Sequence, residues 1–275
     1  MTSHNVDYQK ILNQIGQEFA DKPRSGKVAS YIPELAKLPA DKFGMHLYDL
    51  NGNNYCFGDS NERFSIQSIS KVFTLALAMK VVGDQLWNRV GVEPSGDPFN
   101  SLSQLENDSG IPRNPFINAG AMVVADVLVS NFTNPKAALL AFLHEITGDS
   151  SIDFDPVVAA SERSEGYRNY AMVNYLKSFG NIENPVEEVL DFYFHQCSIA
   201  MSCRDLSNAF IIFANDGRDE SLRLVRPVVV ALVFVEMLQF ALLGIEQRHP
   251  FSADVQSLAA QTSALFHVLV AVGAL

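Results

Sequence analysis

The stretch Phe64-Ser-Ile-Gln-Ser68-Ile-Ser-Lys71-Val-Phe-Thr-Leu-Ala-Leu-Ala78 constrains this chain more than any other. Polar residues give way within a turn to a continuous apolar run, the pattern of a helix whose first turn is polar and whose body is buried. A helix apolar on every side has to be wrapped by other elements. With 275 residues, 48% apolar and 19% charged, the chain has the material for those layers and reads as globular.

The start of the same helix carries chemistry. Ser68 and Lys71 are three residues apart and so share a helical face. A serine hydroxyl is a poor nucleophile until a base takes its proton. A lysine becomes that base when burial disfavours its charge. The helix N-terminus points backbone N–H groups at any oxyanion formed there. Ser-x-x-Lys in this setting reads as an acyl-transfer device. The plainer reading is that Ser65 or Ser68 merely caps the helix.

Charge and motif content narrow the remaining classes. The net charge of −11 gives no basic face for nucleic acid. Cys56, Cys197 and Cys203 are widely spaced, odd in number and form no Cys-x-x-Cys pair, which fits a reducing, cytoplasmic setting. Residues 1–10 hold no apolar segment of a signal peptide. His144-Glu145 lacks the second histidine of a zinc motif, and Asp153-Phe-Asp155 reads as a helix cap rather than a calcium loop. No phosphate-binding glycine motif is present. No metal or cofactor is expected.

Along the chain, 6–19 is amphipathic, with Ile11, Leu12, Ile15 and Phe19 at helical spacing. Leu50-Asn-Gly-Asn53 within 43–57 signals a β-hairpin ahead of the Ser68 helix. The pattern from 74 to about 203 is mainly helical. Asn134-Pro135 starts one helix, Pro185 another, and Ser202-Cys-Arg-Asp205 forms a capping box, with Gly217 as the closing cap. Asn118 and Asn169 offer further N-caps in polar segments between apolar helices. Two strands, a helical block and an end that must return to the sheet make an α+β architecture. Residues 227–245, Pro-Val-Val-Val-Ala-Leu-Val-Phe-Val-Glu-Met-Leu-Gln-Phe-Ala-Leu-Leu-Gly-Ile, just reach membrane-spanning length, ~20 residues. Glu236 near their centre favours a buried helix or strand pair over a membrane span.

Taken in order, the segments Gly26-Lys-Val-Ala-Ser-Tyr31-Ile-Pro-Glu-Leu35, Phe64-Ser-Ile-Gln-Ser68-Ile-Ser-Lys71, Asn114-Pro-Phe-Ile-Asn118-Ala-Gly-Ala121, Ser161-Glu162-Arg163 with Arg168-Asn169, Tyr193 in Asp191-Phe-Tyr-Phe-His195, and Ser202-Cys-Arg-Asp-Leu206 resemble the serine-dependent glutaminase family. The resemblance spans 26–219, roughly seven-tenths of the chain. It implies a β-lactamase/DD-peptidase-like fold: an antiparallel sheet flanked by helices plus a mainly helical subdomain. A single domain over 1–275 follows, with 1–75 and 206–275 in the sheet-containing part and 76–205 in the helical part. It implies hydrolysis of L-glutamine to L-glutamate and ammonia, with Ser68 as nucleophile and Lys71 as general base. Glu162 would receive the substrate α-ammonium, Asn118, Asn169 and Tyr193 would hold its carboxylate and amine, and Tyr31 would stand beside the nucleophile. A homodimer or homotetramer is implied too. The family's later Cys-Gly-Phe-Tyr and Lys-Ser-Gly segments, which supply a second tyrosine, an oxyanion donor and sheet strands, are not found in 220–275. A change of reading frame would account for that tail, and the fold would then lack those core strands. A penicillin-recognising acyl enzyme and an inactive truncated relative are the alternatives.

Overall fold

The computed structural model describes residues 6–20, 27–96, 100–214 and 267–273. In order they form α1 (Tyr8–Ala20), α2 (Pro33–Ala36), β1 (Phe43–Asp49), β2 (Asn54–Gly58), β3 (Phe64–Ser65), a 3-10 turn (Gln67–Ile69), α3 (Ser70–Val82), a second 3-10 segment (Gly83–Asn88), α4 (Leu102–Asn107), α5 (Asn118–Asn131), α6 (Pro135–Thr147), β4 (Asp153–Phe154), α7 (Pro156–Ser164), α8 (Tyr167–Ser178), α9 (Val186–Cys197), β5 (Ile199–Met201), α10 (Cys203–Ala214) and β6 (His267–Gly273).

The Leu50-Asn-Gly-Asn53 signal becomes the turn of an antiparallel β1–β2 hairpin, with Gly44 opposite Gly58 and Tyr48 opposite Asn54. Gly52 adopts φ +87°, which glycine reaches without strain. Asp49 is buried and closes the turn, its carboxylate accepting from the Asn51 and Asn53 N–H groups and from Nδ2 of Asn53. α1 covers the hairpin, placing Leu12 with Met45 and Leu47 and stacking Phe19 on Phe43 at 5.0 Å.

β6 pairs antiparallel with the other edge of β1, from Phe43 opposite Gly273 to Asp49 opposite His267. The sheet order is thus β2-β1-β6. The apolar Val268-Leu-Val-Ala-Val272 run thus supplies an edge strand of this sheet, although the later motif segments of the resembled family are not found in 220–275. Apolar, β-branched sequence suffices for such a strand, whatever motif it lacks. The 227–245 run, Gly217 and the change of reading frame lie outside the described residues.

The principal core joins α3, α5 and α9. From Ser70 to Met79 every residue of α3 is buried, as is every residue of α5 from Ala119 to Leu128. Helices with no polar stripe sit at the centre of the layers. Phe73 of α3 packs edge-on to Phe210 of α10, tying the helical block to the helix behind the sheet.

Most predicted helix starts are where the caps place them. Asn134 accepts from the Ala137 N–H, and Asp155 accepts from the Val157 and Val158 N–H groups. Ser202 and Asp205 cap reciprocally, each side chain accepting from the other's N–H. Asn118 and Asn169 do not cap: Ile117 and Gly166 occupy those positions, and both asparagines lie inside the first helical turn. Neither Ser65 nor Ser68 caps α3, which Ile69 precedes without a side-chain bond. Each of these side chains is left for another task.

Candidate active site

Ser68 is placed by a short second sheet, ordered β3-β5-β4. Phe64 pairs with Met201 and Ser65 with Ala200, and the Ile66 N–H donates to Ile199 O at 2.9 Å. The chain then makes its 3-10 turn and enters α3. Ser68 is left exposed at the mouth of a buried helix. β5 directly follows α9, so the strand that fixes the serine turn also fixes the helix carrying Tyr193.

Lys71 lies one turn on and is only 4% exposed. Its Nζ donates to the Phe116 carbonyl at 2.7 Å and to Asn118 Oδ1 at 2.8 Å. The segment 114–120 makes that socket. Asn114 Oδ1 accepts from the Phe116 and Ile117 N–H groups, and Asn114 Nδ2 donates to Glu93 O. Gly120 lets α5 close onto this turn, since a Cβ there would stand 1.9 Å from Asn114 O. Asn118 was an expected substrate residue; its observed partner is the lysine.

Glu162, on α7, is 6% exposed, and its Oε1 is buried without a hydrogen-bond partner. Burial raises its carboxyl to about 7, with a side-chain contact from Gln67 acting the other way. The groups electrostatically coupled to it are Tyr31, Tyr193 and Cys197. Tyr193 is 3% exposed, and burial first, then Cys197 and Glu162, push its phenol well above the usual range. Burial likewise pushes the Cys197 thiol up to about 12, with Glu162 adding to the rise and Lys71 opposing it. Tyr31 is exposed, and its hydroxyl donates to Gln67 Oε1 at 3.1 Å.

Tyr31, Ser68, Lys71, Asn118, Glu162 and Tyr193, drawn from six segments, thus converge through direct contacts, electrostatic coupling or the Gln67 neighbour of Ser68. Asn169 stands in the first turn of α8, half-buried, and none of the contacts described links it to them. Sequence reasoning missed Gln67 and Cys197. Gln67 was legible only as the residue before the serine, and Cys197 only as one helical turn past Tyr193. A cleft of about 320 Å³ lined by Pro156, Ala159, Ala160, Arg163, Ser164, Phe194 and His195 includes none of the predicted residues. Among the described residues, no group of three or more histidine, cysteine or carboxylate side chains is arranged to hold a metal.

A buried amine one turn from an exposed serine, at a helix start packed on a mixed α+β frame, is the arrangement that serine acyl transfer requires. The glutaminase family model matches residues 26–240, and the chain belongs to that family. A glutaminase of Christiangramia forsetii is 62% identical over 213 residues, 78% of this chain and 70% of that protein. One from Saccharophagus degradans is 52% identical over 212 residues, 77% of this chain and 69% of the other. Among solved structures, the probable glutaminase ybaS superposes with a TM-score of 0.75 at 30% identity, covering 84% of this chain and 75% of the other. A probable glutaminase of Bacillus subtilis gives 0.62 at 34% identity, covering 70% and 62%. The fold is that of these enzymes, and the family match runs past Asp219, where the ordered motifs end.

Proposed function

We propose that this chain hydrolyses L-glutamine to L-glutamate and ammonia through a covalent ester on Ser68. The observation that carries the reading is Lys71: a buried amine held by two carbonyl-type acceptors, one turn from an exposed serine. A neutral amine meets both acceptors with its two N–H groups and keeps a lone pair with which to take the Ser68 proton. Ser68 Oγ attacks the side-chain amide carbon while its proton passes to Lys71 Nζ. The tetrahedral oxyanion lies at the start of α3, where backbone N–H groups point outward. Collapse breaks the C–N bond, and Lys71 returns the proton to the departing nitrogen, which leaves as ammonia. Water then attacks the ester with Lys71 again as base, releasing glutamate and Ser68.

Glu162 receives the α-ammonium. Its unpaired Oε1 supports this, because a buried carboxylate oxygen without a donor matches a cationic ligand. Tyr31, Asn118, Asn169 and Tyr193 complete the substrate site, with Asn118 acting through Lys71 as well. The neutral donors and the single anion suit a zwitterion and penalise analogues that leave one of them unpaired.

The reading places the protein in the cytoplasm as a homodimer or homotetramer, with a sheet-containing part (1–75 and 206–275) and a mainly helical part (76–205). Three cysteines that form no disulfide support a reducing compartment. Among the described residues, no helix is long and apolar enough to cross a membrane.

Glutamate release from L-glutamine by the full chain and by Ser68→Ala tests the mechanism. Turnover that disappears in the variant is the expected result. Turnover that survives it removes Ser68 from the chemistry.

A further inference from the structure

Gln9 hooks α1 onto the outer edge of β2. The hairpin strands exchange backbone hydrogen bonds at alternate pairs: the Asp49 N–H donates to Asn53 O at 3.1 Å, and the Asp59 N–H donates to Phe43 O at 2.9 Å. In that alternation Cys56, opposite His46, turns its N–H and carbonyl away from β1. Both meet the amide of Gln9, in the first turn of α1. The Cys56 N–H donates to Gln9 Oε1 at 3.4 Å, and Gln9 Nε2 donates to Cys56 O at 2.9 Å. Asn13, one helical turn on, accepts from the same Nε2 at 3.0 Å and fixes the amide's orientation. A side chain thus takes the place of a neighbouring strand.

Open strand edges are blunted by charge, by proline or by a covering element. Asn54-Tyr-Cys-Phe-Gly58 has no charge and no proline, and its aromatic residues favour pairing. Its cover is α1, drawn down until a Cβ on Gly16 would stand 2.2 Å from the Phe57 ring, with Tyr8 against Tyr55 at 5.5 Å. The edge is also self-complementary. Cys56 is the middle residue of β2, so a two-fold axis beside it sets Tyr55 of one copy opposite Phe57 of the other, and Asn54 opposite Gly58. Asp59 then falls opposite Asn53, so no two carboxylates face each other despite the net charge of −11.

We propose that α1, hooked by Gln9, covers a pairing surface for a second copy of this chain. With Gln9 unhooked, two β2 edges join antiparallel, Cys56 opposite Cys56, and two three-stranded sheets become one continuous sheet.

Cys56 reports the pairing, since it is exposed while Cys197 and Cys203 are buried. The test treats the parent, Gln9→Ala and Gln9→Glu with a short bis-maleimide over a range of protein concentrations and reads covalent dimer on a denaturing gel. Losing both hydrogen bonds should raise the dimer yield of Gln9→Ala by about tenfold over the parent, increasingly so at higher concentration, and adding Cys56→Ser should abolish it. Gln9→Glu keeps an acceptor for the Cys56 N–H and sets a charge on the edge, so it should stay near the parent. Equal yields in parent and Gln9→Ala would overturn the proposal. So would product that survives Cys56→Ser, or a yield that does not grow with concentration, which would place the cysteines together in an existing assembly. Gln9→Glu cross-linking as strongly as Gln9→Ala would overturn it as well, because a loosened thiol rather than a paired strand would then be trapped. Loss of the cooperative thermal transition in Gln9→Ala would make the amide part of the fold, with the same consequence.

Discussion

Replacing Glu162 by glutamine should make the protein more stable at neutral pH and take away its grip on substrate, and one carboxyl group sets both effects. Burial raises that carboxyl from 4.5 to about 7. In the unfolded chain it ionises near its ordinary value, so between those two pH values the folded state binds more protons than the unfolded one. Stability therefore falls as pH rises through that window. The penalty is absent below pH 4.5, grows up to about 7 and is constant beyond. Its full size is about 3 kcal/mol, since every tenfold weakening of an acid on folding corresponds to about 1.4 kcal/mol. Glutamine has the shape of the protonated acid and does not titrate. The variant should match the parent near pH 4.5 to 5 and exceed it by up to about 3 kcal/mol near pH 8, roughly 6–12 °C in Tm for a chain of this size. Urea unfolding across that range, run on both proteins, reads the difference directly. A stability gap that does not change with pH, or a variant less stable than the parent at pH 8, would refute the reasoning. The α-ammonium of bound glutamine pairs with the parent's carboxylate and meets no anion in the variant, so added substrate should narrow the gap.

Three other perturbations have predictable outcomes. Lys71→Met keeps the bulk of the stem and removes the base, and should lower kcat by about 10²–10⁴ with KM little changed, read by glutamate release. Gly120→Ala forces a Cβ to 1.9 Å from Asn114 O and should cost about 1–3 kcal/mol in denaturant unfolding while moving the carbonyl that holds Lys71, so activity falls further than stability alone explains. Asp126 is fully buried on α5, paired with Arg89 at 2.5 Å, and accepts from the Glu183 and Asn184 N–H groups. Asp126→Ala leaves Arg89 only the more exposed Glu183 carboxylate at 3.5 Å and strips the Glu183 and Asn184 N–H groups of their acceptor, and should destabilise by about 3–5 kcal/mol in the same assay.

Local punctuation in the sequence was a good guide to the fold. Asn134-Pro135, Asp155-Pro156 and Ser202 with Asp205 each mark a helix start because a short polar side chain can reach an N–H two or three residues on, and nothing distant is needed. The hairpin at Asn51-Gly52 is legible for the same reason. Asn118 and Asn169 misled as caps because an asparagine at a helix start has two uses, and sequence does not say which. For Asn118 the deciding partner is Lys71, far away along the chain. The site was legible through family likeness, since no periodicity brings Tyr31, Glu162 and Tyr193 to one place. Gln67 stayed hidden because glutamine carries no signal for a left-handed backbone, and the turn is imposed by β3, Ser70 and Tyr31 around it. The final strand lies in a tail without the family's later motifs, because pairing with β1 asks only for β-forming sequence.

That final strand also sets a clock. β1 is the middle strand of its sheet, yet one of its neighbours is built from residues more than 200 positions downstream. On a ribosome adding about 5–20 residues per second, β1 emerges some 10–45 s before β6. For that interval its seven backbone positions from Phe43 to Asp49 present an unpaired edge, flanked by Met45 and Leu47, to every other nascent chain nearby. The molecule's exposure to misassociation is thus fixed by the order in which its strands are made, and slowing translation lengthens it without altering a single contact of the finished fold.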